Sequence, residues 1–211
     1  MLYTELKRIL VKINADEFGE PSSYVKRTLK RYGFKQIGEG ANRTVYGNGK
    51  VVIKYGDSGE NTTEMLVWNS VKKHKIWKWA IVPLFKHVED DNNPFSFIVG
   101  AQATMLKRIN TNQAFPHEGC RILGPKRLQM QWEALDTQFD DCHDENIGLF
   151  GNAVCLFDLN FAEGTLRQTP AKEWAEQVKM NTHKKKYKQM TKRAIMSIER
   201  VNTKIKTCKK K

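Results

Sequence analysis

FKQIGEGANRTVYGNGKVVIKYG, residues 34–56, alternates short apolar runs with glycine punctuation, and that texture sets the fold. Asn48-Gly49 lies between the β-branched and aromatic runs TVY and VVIK. Asn-Gly is a strong hairpin signal because both central turn positions favour positive φ, which these two residues supply cheaply. Three antiparallel strands follow, over about 34–38, 43–47 and 50–55. Downstream, 60–74 has helical spacing, with Met65, Trp68, Val71 and Leu66 on the side expected to be buried. Two further apolar runs, IVPLFKHV at 81–88 and FSFIVGA at 95–101, flank the polar turn DDNNP and predict two more strands. The expectation is an α+β chain with a five-stranded antiparallel sheet and one inserted helix.

Outward from this block, Leu2, Leu6, Ile9, Leu10 and Ile13 mark one face of an amphipathic helix, and a second short helix is expected over 23–32. The stretch after 103 reads as loop-rich, with Pro116, Gly119, Gly124 and Pro125. A helix near 126–139 then carries Leu128, Trp132, Leu135 and Phe139. Strands are expected at 147–150 and 153–158 around Gly151-Asn152. Residues 170–206 read as helix, with Tyr187, Met190, Ala194, Ile198, Val201 and Ile205 as an apolar stripe whose simplest partner is the body of the chain.

Charge is unevenly placed. Residues 171–211 carry 14 Lys/Arg against 3 Asp/Glu, which leaves +2 of the formal +13 for residues 1–170. Such a run suits nucleic acid or an acidic protein partner, whereas the body is nearly neutral. No stretch of roughly 18 uncharged apolar residues exists, so no membrane partner is expected and a cytoplasmic location is. Cys120, Cys142, Cys155 and Cys208 include no CxxC pair or zinc-type spacing and read as reduced thiols.

Three segments can carry chemistry. Gly38-Glu39-Gly40 opens a strand turn where missing Cβ atoms would let backbone N–H groups approach an anion. Lys54 sits among β-branched residues on the following strand, where a buried ammonium calls for a compensating anion. The stretch Phe139-Asp140-Asp141-Cys142-His143-Asp144-Glu145-Asn146 then leads through two apolar runs to Asp158.

In this order the segments resemble the protein-kinase superfamily. Gly38 to Val45 resembles G-x-G-x-x-G-x-V, with Arg43 where the third glycine belongs. Val51-Val52-Ile53-Lys54 resembles V-A-I-K. Asp141 and Asn146 are five apart, as in the catalytic loop D-x-x-x-x-N, and Asp158 follows Asn146 by twelve residues like the metal-binding aspartate. The Asp-x-His-x-x-Asn form is similar to that of small kinases of bacteria and phages, the early protein kinases of short-tailed phages above all.

The resemblance implies a two-lobed kinase-like fold: a helical segment at 1–33, an N-lobe at 34–103, a reduced, mainly helical C-lobe at 104–169, and a basic helix at 170–211. It implies an ATP- and Mg²⁺-dependent phosphotransferase, a serine/threonine kinase with a protein substrate, acting in the host cytoplasm if the chain is viral. Gly38, Gly40 and Val45 would cradle ATP, and Lys54 would hold its phosphates, paired with Glu64 or, as second candidate, Glu60. Asp141 would be the base, His143 would steady the phosphate or substrate, and Asn146 and Asp158 would bind Mg²⁺.

There are departures from the pattern. Phe139-Asp140 stands where many kinases have His-Arg, Asp158-Leu159-Asn160 replaces D-F-G, and no A-P-E follows. These, with Arg43, point to the alternative of a kinase-shaped pseudoenzyme or inhibitor gripping a host protein or nucleic acid through its basic helix. A third reading is a two-metal hydrolase built on Asp140, Asp141, Asp144 and Asp158.

Overall fold

The turn at Asn48-Gly49 closes a hairpin, although not in the way that the dipeptide predicts. Only Gly49 takes positive φ (+83°), and Asn48 does not. Instead the Asn48 side-chain oxygen accepts the N–H groups of Lys50 and Val51, at 3.1 and 2.9 Å. An asparagine that can cap the turn with its side chain has no need of the left-handed region. The computed structural model describes residues 1–15, 21–40, 42–110, 120–139, 146–159 and 168–209. Its secondary structure is α+β, and the chain divides into two compact units.

The first unit comprises residues 1–65, 84–102 and 191–211. Its centre is a five-stranded antiparallel sheet of β1 (Lys35–Glu39), β2 (Arg43–Gly47), β3 (Val51–Asp57), β4 (Leu84–Val88) and β5 (Phe95–Ala101), in the order β1-β2-β3-β5-β4. β4 is shorter than the run IVPLFKHV suggests. Ile81 lies outside the sheet and forms an isolated parallel bridge with Leu156, both in the second unit. Helix α1 (Leu2–Ala15) packs beside β4 and β5, and α2 (Pro21–Arg31) packs beside β1. The expected stripe of α1 is buried from Leu2 to Ile13. Asn93 donates from its side chain to the Leu10 carbonyl at 2.8 Å, tying the interior of α1 to the β4–β5 turn.

The two faces of the sheet differ in chemistry. Val51, Ile53 and Tyr55 on β3 pair in register with Ala101, Val99 and Phe97 on β5, and all are buried. The opposite face carries Lys54 and Ser96 toward α3 (Ser58–Val71), the helix inserted after β3. The buried face of α3 is Asn61, Glu64, Trp68 and Val71, and Leu66, expected inside, is 63% exposed. Two polar residues, Asn61 and Glu64, therefore share the inward stripe with Trp68 and Val71. Asn61 donates to both the Ser96 hydroxyl (2.9 Å) and the Ser96 carbonyl (3.1 Å), tying α3 to β5.

The second unit comprises residues 66–83 and 103–190. The loop-rich stretch contains more order than its glycines and prolines suggest. β6 (Thr104–Met105) joins the hairpin β9 (Ile147–Phe150) and β10 (Ala153–Leu156), and β7 (Arg108–Asn110) pairs with β8 (Cys120–Ile122). The added strands β6, β7 and β8 are two or three residues long, below the length at which an alternating pattern becomes readable. α4 (Lys126–Asp136) turns its Gln131 inward, where the side chain accepts from Val154 N–H and donates to the Gln177 carbonyl, both at 2.9 Å. Trp77, Phe139 and Trp174 are buried in this unit, with Trp77 edge-on to Phe139 at 5.2 Å.

The expected single helix over 170–206 is two: α5 (Gln168–Glu176) and α6 (Met180–Cys208). Residues 180–190 belong with the second unit and 191–208 with the first. The stripe is core. Tyr187, Ala194, Ile198, Val201 and Ile205 are all buried, and Met190 meets the Gly151 N–H through its sulfur. In the first unit Asn202 accepts the Leu2 N–H at 2.6 Å, and Lys209 pairs with Glu5 at 2.6 Å. Among the described residues no helix is long and apolar enough to cross a membrane.

Two measurements probe this packing. Ile205→Ala deletes a fully buried side chain and is expected to lower stability by about 2–4 kcal/mol, while Ile195→Ala, at an exposed site, stays within about 0.5 kcal/mol; urea denaturation compares them. The second concerns pH. His183 is buried with its Nε2 donating to the Trp79 carbonyl at 2.7 Å. Burial holds its pKa below the ordinary 6.5, against the opposing pull of that bond. His74 and His87 are lowered for the same first cause, desolvation. The unfolded chain then binds protons near pH 6.5 that the folded chain refuses, so stability is full above that pH and falls below it. Unfolding midpoints should drop between about pH 7.5 and about pH 5.5, and His183→Gln should shrink the drop.

Candidate functional site

The register of the first unit's sheet aligns three of the predicted site residues. Gly38 on β1 faces Val45 on β2, Val45 faces Lys54 on β3, Lys54 faces Ile98 on β5, and Ile98 faces His87 on β4. Directly opposed residues in antiparallel strands share a face, so these form one transverse row. An irregularity in β1 between Gln36 and Gly38 brings Gly38 into the row. Such a bulge re-aims the strand where regular pairing would carry the wrong residue to this face.

Lys54 is 4% exposed and its ammonium lies 2.6 Å from Oε1 of Glu64, which is fully buried. Ten residues separate them, and one strand end plus two helical turns span that distance. Glu60, the second candidate, engages other groups: Arg43 Nε at 3.5 Å and the Asn42 side chain at 2.5 Å.

Arg43 occupies the place expected of a third glycine, and its side chain has a partner in the cluster. Its Nη1 bonds Oε2 of Glu64 at 2.7 Å, so the two carboxylate oxygens serve two different cations. The path for this side chain exists because Gly56 stands opposite Arg43 on β3. A Cβ at Gly56 would come within 2.4 Å of Arg43 Cγ and 2.3 Å of the Asn42 carbonyl. In the sequence Arg43 stands out only as a missing glycine. The signal available was register, since Arg43 and Val45 are two apart on one strand and must share a face. Asn61 was also missed, though it precedes Glu64 by three on α3 and so lies on the same side.

Gly38 and Gly40 behave differently from Gly56. Neither has positive φ. A Cβ at Gly38 would meet only Val45 Cβ at 3.8 Å, and at Gly40 only the Arg43 carbonyl at 3.9 Å. Among the described residues nothing requires glycine at either position, so the fold itself does not explain them.

In the second unit, Asn146 and Asp158 stand at the open end of the β9–β10 hairpin. Leu156 pairs with Ile147, and the Phe157 N–H donates to the Asn146 carbonyl at 2.9 Å, which sets Asp158 just beyond the last pair. Asn146 is buried and Asp158 half-buried. Both offer hard oxygen donors of the kind Mg²⁺ accepts. Asp141 and His143 lie outside the described residues, as do Asp140 and Asp144 of the hydrolase reading. Cys155 is fully buried, and desolvation raises its thiol pKa far above the ordinary value, which makes it an inert core residue.

The Glu64 cluster generates an asymmetric prediction. Glu64→Gln removes the carboxylate that Lys54 and Arg43 share and is expected to cost about 3–5 kcal/mol, whereas Lys54→Met leaves Glu64 paired with Arg43 and costs less. Urea midpoints of both variants test the order.

A comparison with protein-family models finds no match, and a comparison with curated proteins finds none either.

Proposed function

We propose that the chain is an ATP- and Mg²⁺-dependent phosphotransferase with a kinase-like fold, acting on hydroxyl groups of a protein. The observation that carries the reading is the buried Lys54–Glu64 ion pair in the same sheet row as Gly38 and Val45. A lysine immobilised by a buried carboxylate is a fixed positive charge between the apolar neighbours Ile53 and Tyr55, suited to the α- and β-phosphates of a nucleotide. The strand order, with a helix inserted after the third strand, supports the kinase-like reading of the first unit. Gly38 and Gly40, which the chain's own packing does not require, fit close approach of a phosphate to the backbone.

Asn146 and Asp158 hold the metal in this reading, and Mg²⁺ when bound neutralises charge on the phosphates. Asp141 accepts the proton of the attacking hydroxyl and His143 steadies the phosphate or substrate. Lys54 orients the phosphates, and Glu64 keeps the ammonium in place. The protein acts in the cytoplasm, that of the host if it is viral.

Arg43 favours a second reading. By taking one oxygen of Glu64 it fills a position that the kinase pattern leaves to glycine, as a pseudoenzyme that no longer moves phosphate would tolerate.

One assay separates the two. Purified protein incubated with γ-labelled ATP and Mg²⁺ is expected to label itself or a protein in cell extract. Chelation of the metal should abolish the signal, and Lys54→Met, Asp141→Ala and Asp158→Ala should each reduce it by about a hundredfold or more. ATP-dependent protection against thermal unfolding without any transfer would select the pseudoenzyme. Neither transfer nor protection would overturn both.

A further inference from the structure

The strongest feature that the phosphotransferase reading leaves unused is in the second unit, around Trp79. Three ammonium groups converge on this one half-exposed indole. Lys78 lies 5.5 Å, Lys184 5.7 Å and Lys188 5.9 Å from the ring centroid. They come from segments a hundred residues apart in the chain, brought together by packing. His183 Nε2 donates to the Trp79 carbonyl at 2.7 Å, the Tyr187 hydroxyl donates to the Ile81 carbonyl at 2.8 Å, and the Tyr187 ring meets Trp79 edge-on at 5.2 Å.

Both segments are devoid of acid. Residues 66–83 hold four lysines and no Asp or Glu, and residues 177–190 hold five lysines and no Asp or Glu. Among the described residues none of Lys78, Lys184 and Lys188 forms an ion pair. Lys184 and Lys188 of the tail therefore share one surface with Lys78, a cation from the part of the chain whose near-neutral net charge conceals it.

Like charges gathered around a ring repel one another, and the ring's π-face offsets only part of that repulsion. The arrangement is complementary to a polyanion. Protein interfaces are depleted in lysine and built on an apolar centre, whereas nucleic-acid interfaces are strongly positive. An indole framed by ammonium groups supplies the two things a single strand needs: a stacking partner for a base and cations for the adjoining phosphates. We infer that this surface binds single-stranded nucleic acid, with Trp79 stacking a base and Lys78, Lys184 and Lys188 on phosphates. The inference does not depend on the phosphotransferase reading, since no residue is shared.

The test is fluorescence anisotropy of the full chain with a labelled oligothymidylate, over a range of salt concentrations. Lys184→Gln/Lys188→Gln is expected to weaken binding about tenfold at physiological salt and to flatten the log K against log salt slope by about 1.4, roughly 0.7 for each phosphate left without its lysine. Lys26→Gln/Lys30→Gln makes the same change in net charge at exposed sites on α2 and should alter binding by less than about threefold. Trp79→Leu is expected to weaken binding about tenfold with the salt slope unchanged, because stacking carries no counterions. Thermal melts accompany each variant, and if Trp79→Leu does not fold, the two lysine pairs decide the matter. Equal losses from both pairs would reduce the effect to net charge and overturn the inference. So would absence of binding by the unaltered chain, or displacement of the oligonucleotide by polyglutamate as readily as by unlabelled oligothymidylate, which would assign the surface to an acidic protein.

Discussion

The carboxylate of Glu64 organises the polar side of the first unit. It is fully buried and accepts Lys54 on one oxygen and Arg43 on the other. A single buried charge is expensive, and a buried carboxylate with two donors becomes tolerable only when both cations are held in fixed geometry. Holding them constrains the sheet. β2 and β3 must be in register so that Arg43 and Lys54 both reach Glu64, Gly56 must lack a side chain so that Arg43 passes, and α3 must start directly after β3 to bring Glu64 within reach. One electrostatic requirement thus couples the start of β2, the β2–β3 hairpin and the inserted helix.

The surrounding contacts extend the same constraint. Asn61 lies one helical turn before Glu64 and fixes α3 to β5 through Ser96, whose hydroxyl also meets His87 at 3.0 Å. The polar face is thereby wired from β2 across to β4, while on the opposite face β3 and β5 present apolar residues. A sheet with one face reserved for a buried ionic network gives up hydrophobic stabilisation on that side, and such an arrangement is more often a functional feature than a structural economy.

Within the second unit, aromatic packing takes the organising role. Trp77, Phe139 and Trp174 fill the interior, and Gln131 and Trp174 satisfy the amide and carbonyl of Val154 on β10. That fixes the hairpin whose open end carries Asn146 and Asp158. The first turns of α6 contribute His183 and Tyr187 to the same core, so the most basic segment of the chain is also one of its packing elements. Its lysines are displayed by a rigid helix, which makes the field around Trp79 a fixed property of the surface.

What the sequence determined by itself was whatever depends on local pattern. The strands from Lys35 to Ala101, the amphipathic face of α1, the apolar stripe of α6 and the β9–β10 hairpin are all legible, because periodicity and turn chemistry are properties of neighbouring residues. Lys54 was legible too, as a lysine among β-branched residues, whereas Glu64 was nominated through the kinase resemblance, by its place on the helix after that strand. Tertiary structure alone decided the rest, for reasons of register and long-range juxtaposition. That Arg43 shares Glu64 depends on which residues oppose one another across strands. The exposure of Leu66 depends on Asn61 and Glu64 claiming the inner face of α3. The meeting of Lys78 with Lys184 and Lys188 around Trp79 depends on packing between segments far apart in the chain, where no local signal exists to be read.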